Sequence, residues 1–164
     1  MFYLYLLPTL TLLIVALFLS PLRSKVWVAL ATAVTLALAA LVPATGVLTS
    51  GKSLVLMEFM SPIFGQESLS IDPLSAIFLL LIGVAGVATV LYSKGYLEQY
   101  LKKKSSAHIS LHYTSLVVLI LSMMLVVISS GGFSFLFAWE LMTIASFLLI
   151  LFDAERAEVL RAAV

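Results

Sequence analysis

The chain has 164 residues, 63% of them hydrophobic and 10% charged, with a formal net charge of +1 and a mean hydropathy of +1.20. Soluble domains carry roughly a quarter charged residues, so this composition is that of an integral membrane protein. The near-zero total charge gives no sign of a nucleic-acid partner, and the lack of any cysteine excludes disulfides, thiolate metal sites and cysteine-ligated iron–sulfur clusters.

Five apolar runs, 2–20, 26–48, 73–92, 113–129 and 132–152, reach about the 20 residues that cross roughly 30 Å of hydrocarbon at 1.5 Å per residue. They predict an all-α polytopic bundle of five spans forming a single membrane domain. Backbone groups in lipid must bond within their own segment, and the runs are too long for barrel strands. The first run follows no cationic segment, since Arg23 and Lys25 come behind it. It therefore reads as a retained span, with the N-terminus outside and the C-terminus in the cytoplasm.

The loop 49–72 falls on the non-cytoplasmic side, with breakers at Gly51, Pro62 and Gly65 that suit a short extended hairpin. Asp72-Pro73 then has the signature of a helix start, the Asp accepting from free N–H groups as an N-cap and the Pro presetting the first helical φ. In the third span Gly83, Ala85, Gly86 and Ala88 expose backbone for close helix approach. The segment 93–111 holds Lys94, Glu98 and Lys102-Lys103-Lys104. It reads as a solvated cytoplasmic loop or interfacial helix that sets topology, with anionic-lipid contact as the functional alternative.

A tight turn at Ser129-Ser130-Gly131-Gly132 makes the last two spans an antiparallel helical hairpin. The tail 153–164 is cytoplasmic and stops amid apolar residues without Gly, Pro or a charge cluster, as an incomplete part of a longer fold would. Arg23, Lys25, Lys94, Lys102, Lys103, Lys104, Arg156 and Arg161 all fall in the cytoplasmic segments and Lys52 alone opposite, a strong positive-inside bias. Tyr3, Tyr5, Trp27, Tyr92, Tyr96 and Tyr113 sit near span ends, where amphipathic rings anchor at headgroups.

Gly46 to Ser53 satisfies the phosphate-binding pattern GxxxxGK[ST], but an Ala/Leu-rich span precedes it where a strand is required, so no nucleotide is expected. His108 and His112 share an i, i+4 spacing and lack a third ligand, so interfacial histidines are expected rather than a metal site. No nucleophile is specified among the many serines, and neither a cofactor nor catalytic chemistry is implied.

Glu140 stands apart, as the ionisable residue inside the run 132–152. An acid at the bilayer centre costs roughly 2.5 to 3.5 kcal/mol on insertion scales and marks a functional site by default. It lies about two residues, roughly 3 Å, from the midpoint of its span. Desolvation there favours the neutral acid, whereas a cation brought alongside favours the carboxylate. Thr143 and Ser146 lie to one side of the same helix face and offer a hydrogen-bonded water beside it. The bland alternatives are hydroxyls bonded to their own helix carbonyls and a protonated acid bonded to a neighbouring helix.

The string from Phe137 to Ile150, with Trp139-Glu140-Leu141 at its centre, resembles the fifth-helix signature of the antiporter-like proton-translocating membrane subunits. That family includes the large membrane subunits of NADH:quinone oxidoreductase, the Mrp-type antiporters and the hydrogenase-4 and formate hydrogenlyase membrane subunits. Ile71 to Phe78 is similar to the family's entry to the third helix, and Tyr92, Tyr96 and Ser122-Met123 follow as in its members. The resemblance implies that Glu140 is the fifth-helix glutamate whose proton affinity is coupled to a lysine on a later helix. It also implies that the chain corresponds to the N-terminal portion of the family fold. The expected partners are the lipid bilayer, membrane subunits supplying the missing helices and lysines, and redox subunits of a larger complex in a bacterial inner membrane. A truncated or split scaffold that conducts nothing is the alternative.

Overall fold

The computed structural model describes residues 12, 14–21, 24–61, 64–98, 100 and 104–152. Residues 14–19 of the first predicted span are helical, while the rest of that span before residue 12 and the tail 153–164 lie outside the described residues. The elements that follow are α1 (Lys25–Ser50), β1 (Leu54–Ser61), β2 (Gly65–Ile71), α2 (Pro73–Glu98), α3 (Ser106–Ile128) and α4 (Gly132–Leu151). All four helices are long and apolar enough to cross a membrane.

One expectation is corrected. The fold is not all-α, because the loop 49–72 contains an antiparallel two-stranded sheet running from the pair Leu54↔Ile71 to Ser61↔Gly65, with an irregularity between Val55 and Met57. Gly51 closes α1 in the left-handed region at φ 66°, which a residue without Cβ adopts freely. Helix also extends into both ends of the basic segment 93–111. α2 carries Lys94 and runs on to Glu98, and α3 starts at Ser106, where Ser105 has extended backbone and its Oγ accepts from the His108 N–H at 3.4 Å. The physical reason is that hydropathy marks where the lipid ends, whereas the cap marks where the helix ends.

Helix packing in lipid rests on close contact rather than on exclusion of water. Gly83 and Gly86 provide that contact on both sides of α2: a Cβ at Gly83 would lie 3.4 Å from Ala37 of α1, and one at Gly86 only 3.1 Å from Ile120 of α3. Ala85 and Ala88, expected to join them, face outward. Around this seam the core holds Ala29, Ala33, Leu36, Leu79, Val117 and Ile120. At one end the sheet packs against all four helices and roofs an apolar cavity of about 220 Å³ bordered by Leu36, Pro43, Leu56, Ile71 and Met124.

The outer helix is α4. Its buried residues are Ser134, Ala138 and Ala145, a narrow stripe of small side chains at helical spacing that lets α3 approach closely. Leu136, Phe137, Trp139, Ile144 and Phe147 are exposed on the remaining circumference.

Candidate functional site

Glu140 lies near the middle of α4 and is exposed. It follows buried Ala138 by two residues, which at 3.6 residues per turn places it on the side away from α3. Neither hydroxyl offered by the sequence reaches it. Thr143 Oγ1 donates to the Trp139 carbonyl at 3.1 Å and Ser146 Oγ to the Thr143 carbonyl at 2.8 Å, both inside the helix's own ladder.

Asp72 sits immediately before α2, and its Oδ1 accepts from the Ser75 N–H at 2.6 Å. That bond is the chief cause that holds the Asp72 carboxyl below the usual carboxylate range. Ser75 Oγ also donates to the Val127 carbonyl at 2.9 Å, so the start of α2 is fastened to the end of α3.

Among the described residues, the most heavily bonded acid is one the sequence reading passed over. Glu67 on β2 is 2% exposed. Its Oε1 accepts from the Phe133 N–H at 3.0 Å, and its Oε2 from the Ser134 N–H at 2.9 Å and the Ser134 hydroxyl at 2.7 Å. The Ser134 N–H contributes most to holding this carboxyl below its ordinary value. α4 begins after Gly131, which has no side chain to cap it, so the N–H groups of its first turn need acceptors from elsewhere. A Cβ at Gly131 would run into the Glu67 carboxylate. Around this contact the Ser130 N–H donates to the Ser68 carbonyl at 3.0 Å, the Ser70 and Ser130 hydroxyls are 2.6 Å apart, and Leu69 bridges Ser129. The legible signal was a helix opening on Gly-Gly with no Ser, Thr, Asp or Asn cap of its own.

Lys25 is a second departure. Expected in a cytoplasmic loop, it is the first residue of α1 and 0% exposed. Its ammonium donates to the Leu17 carbonyl at 2.7 Å and to Ser110 Oγ at 2.6 Å, while that hydroxyl donates to the same carbonyl at 3.1 Å. The carbonyls that close the helical stretch 14–19 have no intrahelical partner, and a cation satisfies one of them.

The two histidines do not converge. His108 is exposed, with Nδ1 2.8 Å from Ser105 Oγ, and His112 is half-buried beside Phe152, 4.6 Å between ring centroids, and Tyr113. Residues 46–50 belong to α1, and the Gly51 N–H donates to the Val47 carbonyl at 2.8 Å. The phosphate-binding pattern thus lies on a helix followed by a strand, the reverse of the order that cradles phosphate.

Residues 66–105 match the family model described as NADH-Ubiquinone oxidoreductase (complex I), chain 5 N-terminus. Over that stretch the chain is similar to an antiporter-like membrane subunit. No curated protein matches the chain. The matched stretch runs from β2, with Glu67 and Asp72, through all of α2 to Ser105. Glu140 lies beyond it on α4. With four helices of spanning length and apolarity, the chain is an integral membrane protein.

Proposed function

We propose that this chain forms the N-terminal part of a proton- or cation-translocating subunit. The complex is a redox-driven respiratory or hydrogenase complex, or a multisubunit cation/proton antiporter, in a bacterial cell membrane. Glu140 is the group that takes up and releases the proton, and electron chemistry belongs to other subunits. The observation that carries this reading is an acid near the middle of α4 on the side that α3 leaves open.

The mechanism is electrostatic. A lysine presented by a companion helix to the open side of α4 stabilises the Glu140 carboxylate, and withdrawing or neutralising that lysine returns the proton, so the two sites titrate as a coupled pair. Within the described residues the lysines stand at or beyond helix ends, at Lys25, Lys52, Lys94 and Lys104. The partner cation therefore comes from outside these elements. Thr143, about one turn along α4, lies toward the same side, and its hydroxyl, like that of Ser146 farther round the helix, is free to exchange its backbone bond for water as the site hydrates.

In membranes containing the assembled complex, Glu140→Gln is expected to lower the pH gradient formed on energisation by roughly tenfold or more. Glu140→Asp retains part of it. Pumping in Glu140→Gln equal to the wild type sinks the assignment.

A further inference from the structure

Glu67 belongs to the sheet, yet its hydrogen bonds go to the first turn of α4. The helix it holds is the one that carries Glu140. Phe133 and Glu140 are seven residues apart, roughly 10 Å along the helix axis.

We propose that Glu67 is a positioning residue for Glu140: it ties α4 to the sheet and sets a fixed negative charge on the helix axis that favours the protonated form of Glu140. The inference rests on reading Glu140 as a proton-holding group. Three donors stabilise the ionised form of Glu67, the Ser134 N–H foremost, so the carboxyl stays charged down to pH values below the ordinary carboxylate range. The contact is therefore a constant device at physiological pH rather than a switch.

Two effects act on Glu140 in the same direction. A second carboxylate near the first is disfavoured by like-charge repulsion, and Glu67 offsets the positive end of the α4 dipole that would otherwise favour an anion in that helix. No competing charge intervenes among the described residues. At the sheet end the charged groups are Lys52, Glu58 and Asp72, and Asp72 is engaged by Ser75. α3, the helix packed on α4, carries His108, His112 and Tyr113 near its start, at the opposite end of the bundle. The bonds also fix α4 along its axis, so Glu140 keeps its depth.

The full chain in liposomes of zwitterionic lipid is treated with a lipid-soluble carbodiimide, which reacts with a protonated carboxyl, and modification of Glu140 is followed by mass spectrometry against pH. Glu67→Gln is expected to move the Glu140 labelling profile about one pH unit toward acid. Glu67→Asp, which keeps the charge, leaves it near the wild-type position. Should Glu67→Gln fail to fold, Phe133→Lys, which sets a cation on the exposed residue whose N–H bonds the same carboxylate, is expected to shift the profile the same way. A Glu140 that titrates with the same profile in the charge-altering variant overturns the inference and leaves the reading of Glu140 standing. A Glu140 whose labelling does not depend on pH overturns that reading and the inference together.

Discussion

Glu67 and Asp72 both accept backbone N–H groups at helix starts, and both are held below the ordinary carboxylate range, chiefly by the Ser134 and Ser75 N–H groups respectively. For a carboxyl whose folded value is depressed, the stabilisation is complete above the unfolded value, about 4, and disappears as pH falls through the folded value. The contact between the sheet and α4 is therefore expected to hold throughout the neutral range and to loosen only in strong acid. Amide exchange at Phe133 and Ser134, corrected for intrinsic rate, measures it: protection should be flat from neutral pH down to the ordinary carboxylate range and fall below it. In Glu67→Gln it should be low at every pH. Gly131→Ala tests the same contact sterically. The added methyl meets the Glu67 carboxylate, so a loss of about 1–3 kcal/mol is expected, read as a lower unfolding midpoint in detergent. An unchanged midpoint would mean that the carboxylate can move aside without cost.

At the scale of elements, α2 is the helix whose packing was partly legible. Its small residues were recognisable from sequence, but period and composition do not say which neighbour each faces. Tertiary contact selects Gly83 for α1 and Gly86 for α3, leaving Ala85 and Ala88 outside. Gly86→Leu should consequently separate α2 from α3 and cost about 1–3 kcal/mol, whereas Gly46→Ala, in open space on α1, should be neutral or slightly stabilising. Thermal unfolding of the two variants side by side decides between packing and propensity. The sheet was legible only as breakers around mixed polarity, since Glu67 facing inward departs from simple apolar alternation. Its placement depends on donors that lie on α4, far along the chain. The end of α2 and the start of α3 were left open between loop and interfacial helix for a related reason: Lys94 and Glu98 are polar enough to suit a loop, while a helix ladder still satisfies the backbone where polar side chains are solvated.

For the whole molecule the testable statement is orientation. A chain with no cysteine accepts single reporters cleanly, and Lys52 and Lys94 lie at opposite ends of the bundle, after α1 and late in α2. Lys94→Cys is expected to react with an impermeant thiol reagent from the cytoplasmic face and Lys52→Cys from the other face alone. Labelling of both from one face would overturn the positive-inside assignment. Membrane insertion, the four helices of spanning length among the described residues, the Asp72-Pro73 helix start and the acid within α4 could all be read from the sequence, because lipid imposes length and apolarity on each segment separately and a cap acts within a few residues. Only the tertiary structure decided that Glu67 holds the first turn of α4, that the Lys25 ammonium is buried between Leu17 and Ser110, and that Glu140 faces away from α3. Each of these depends on which distant groups meet, and a hydrogen bond or a buried charge is settled by the partner that three-dimensional packing brings to it.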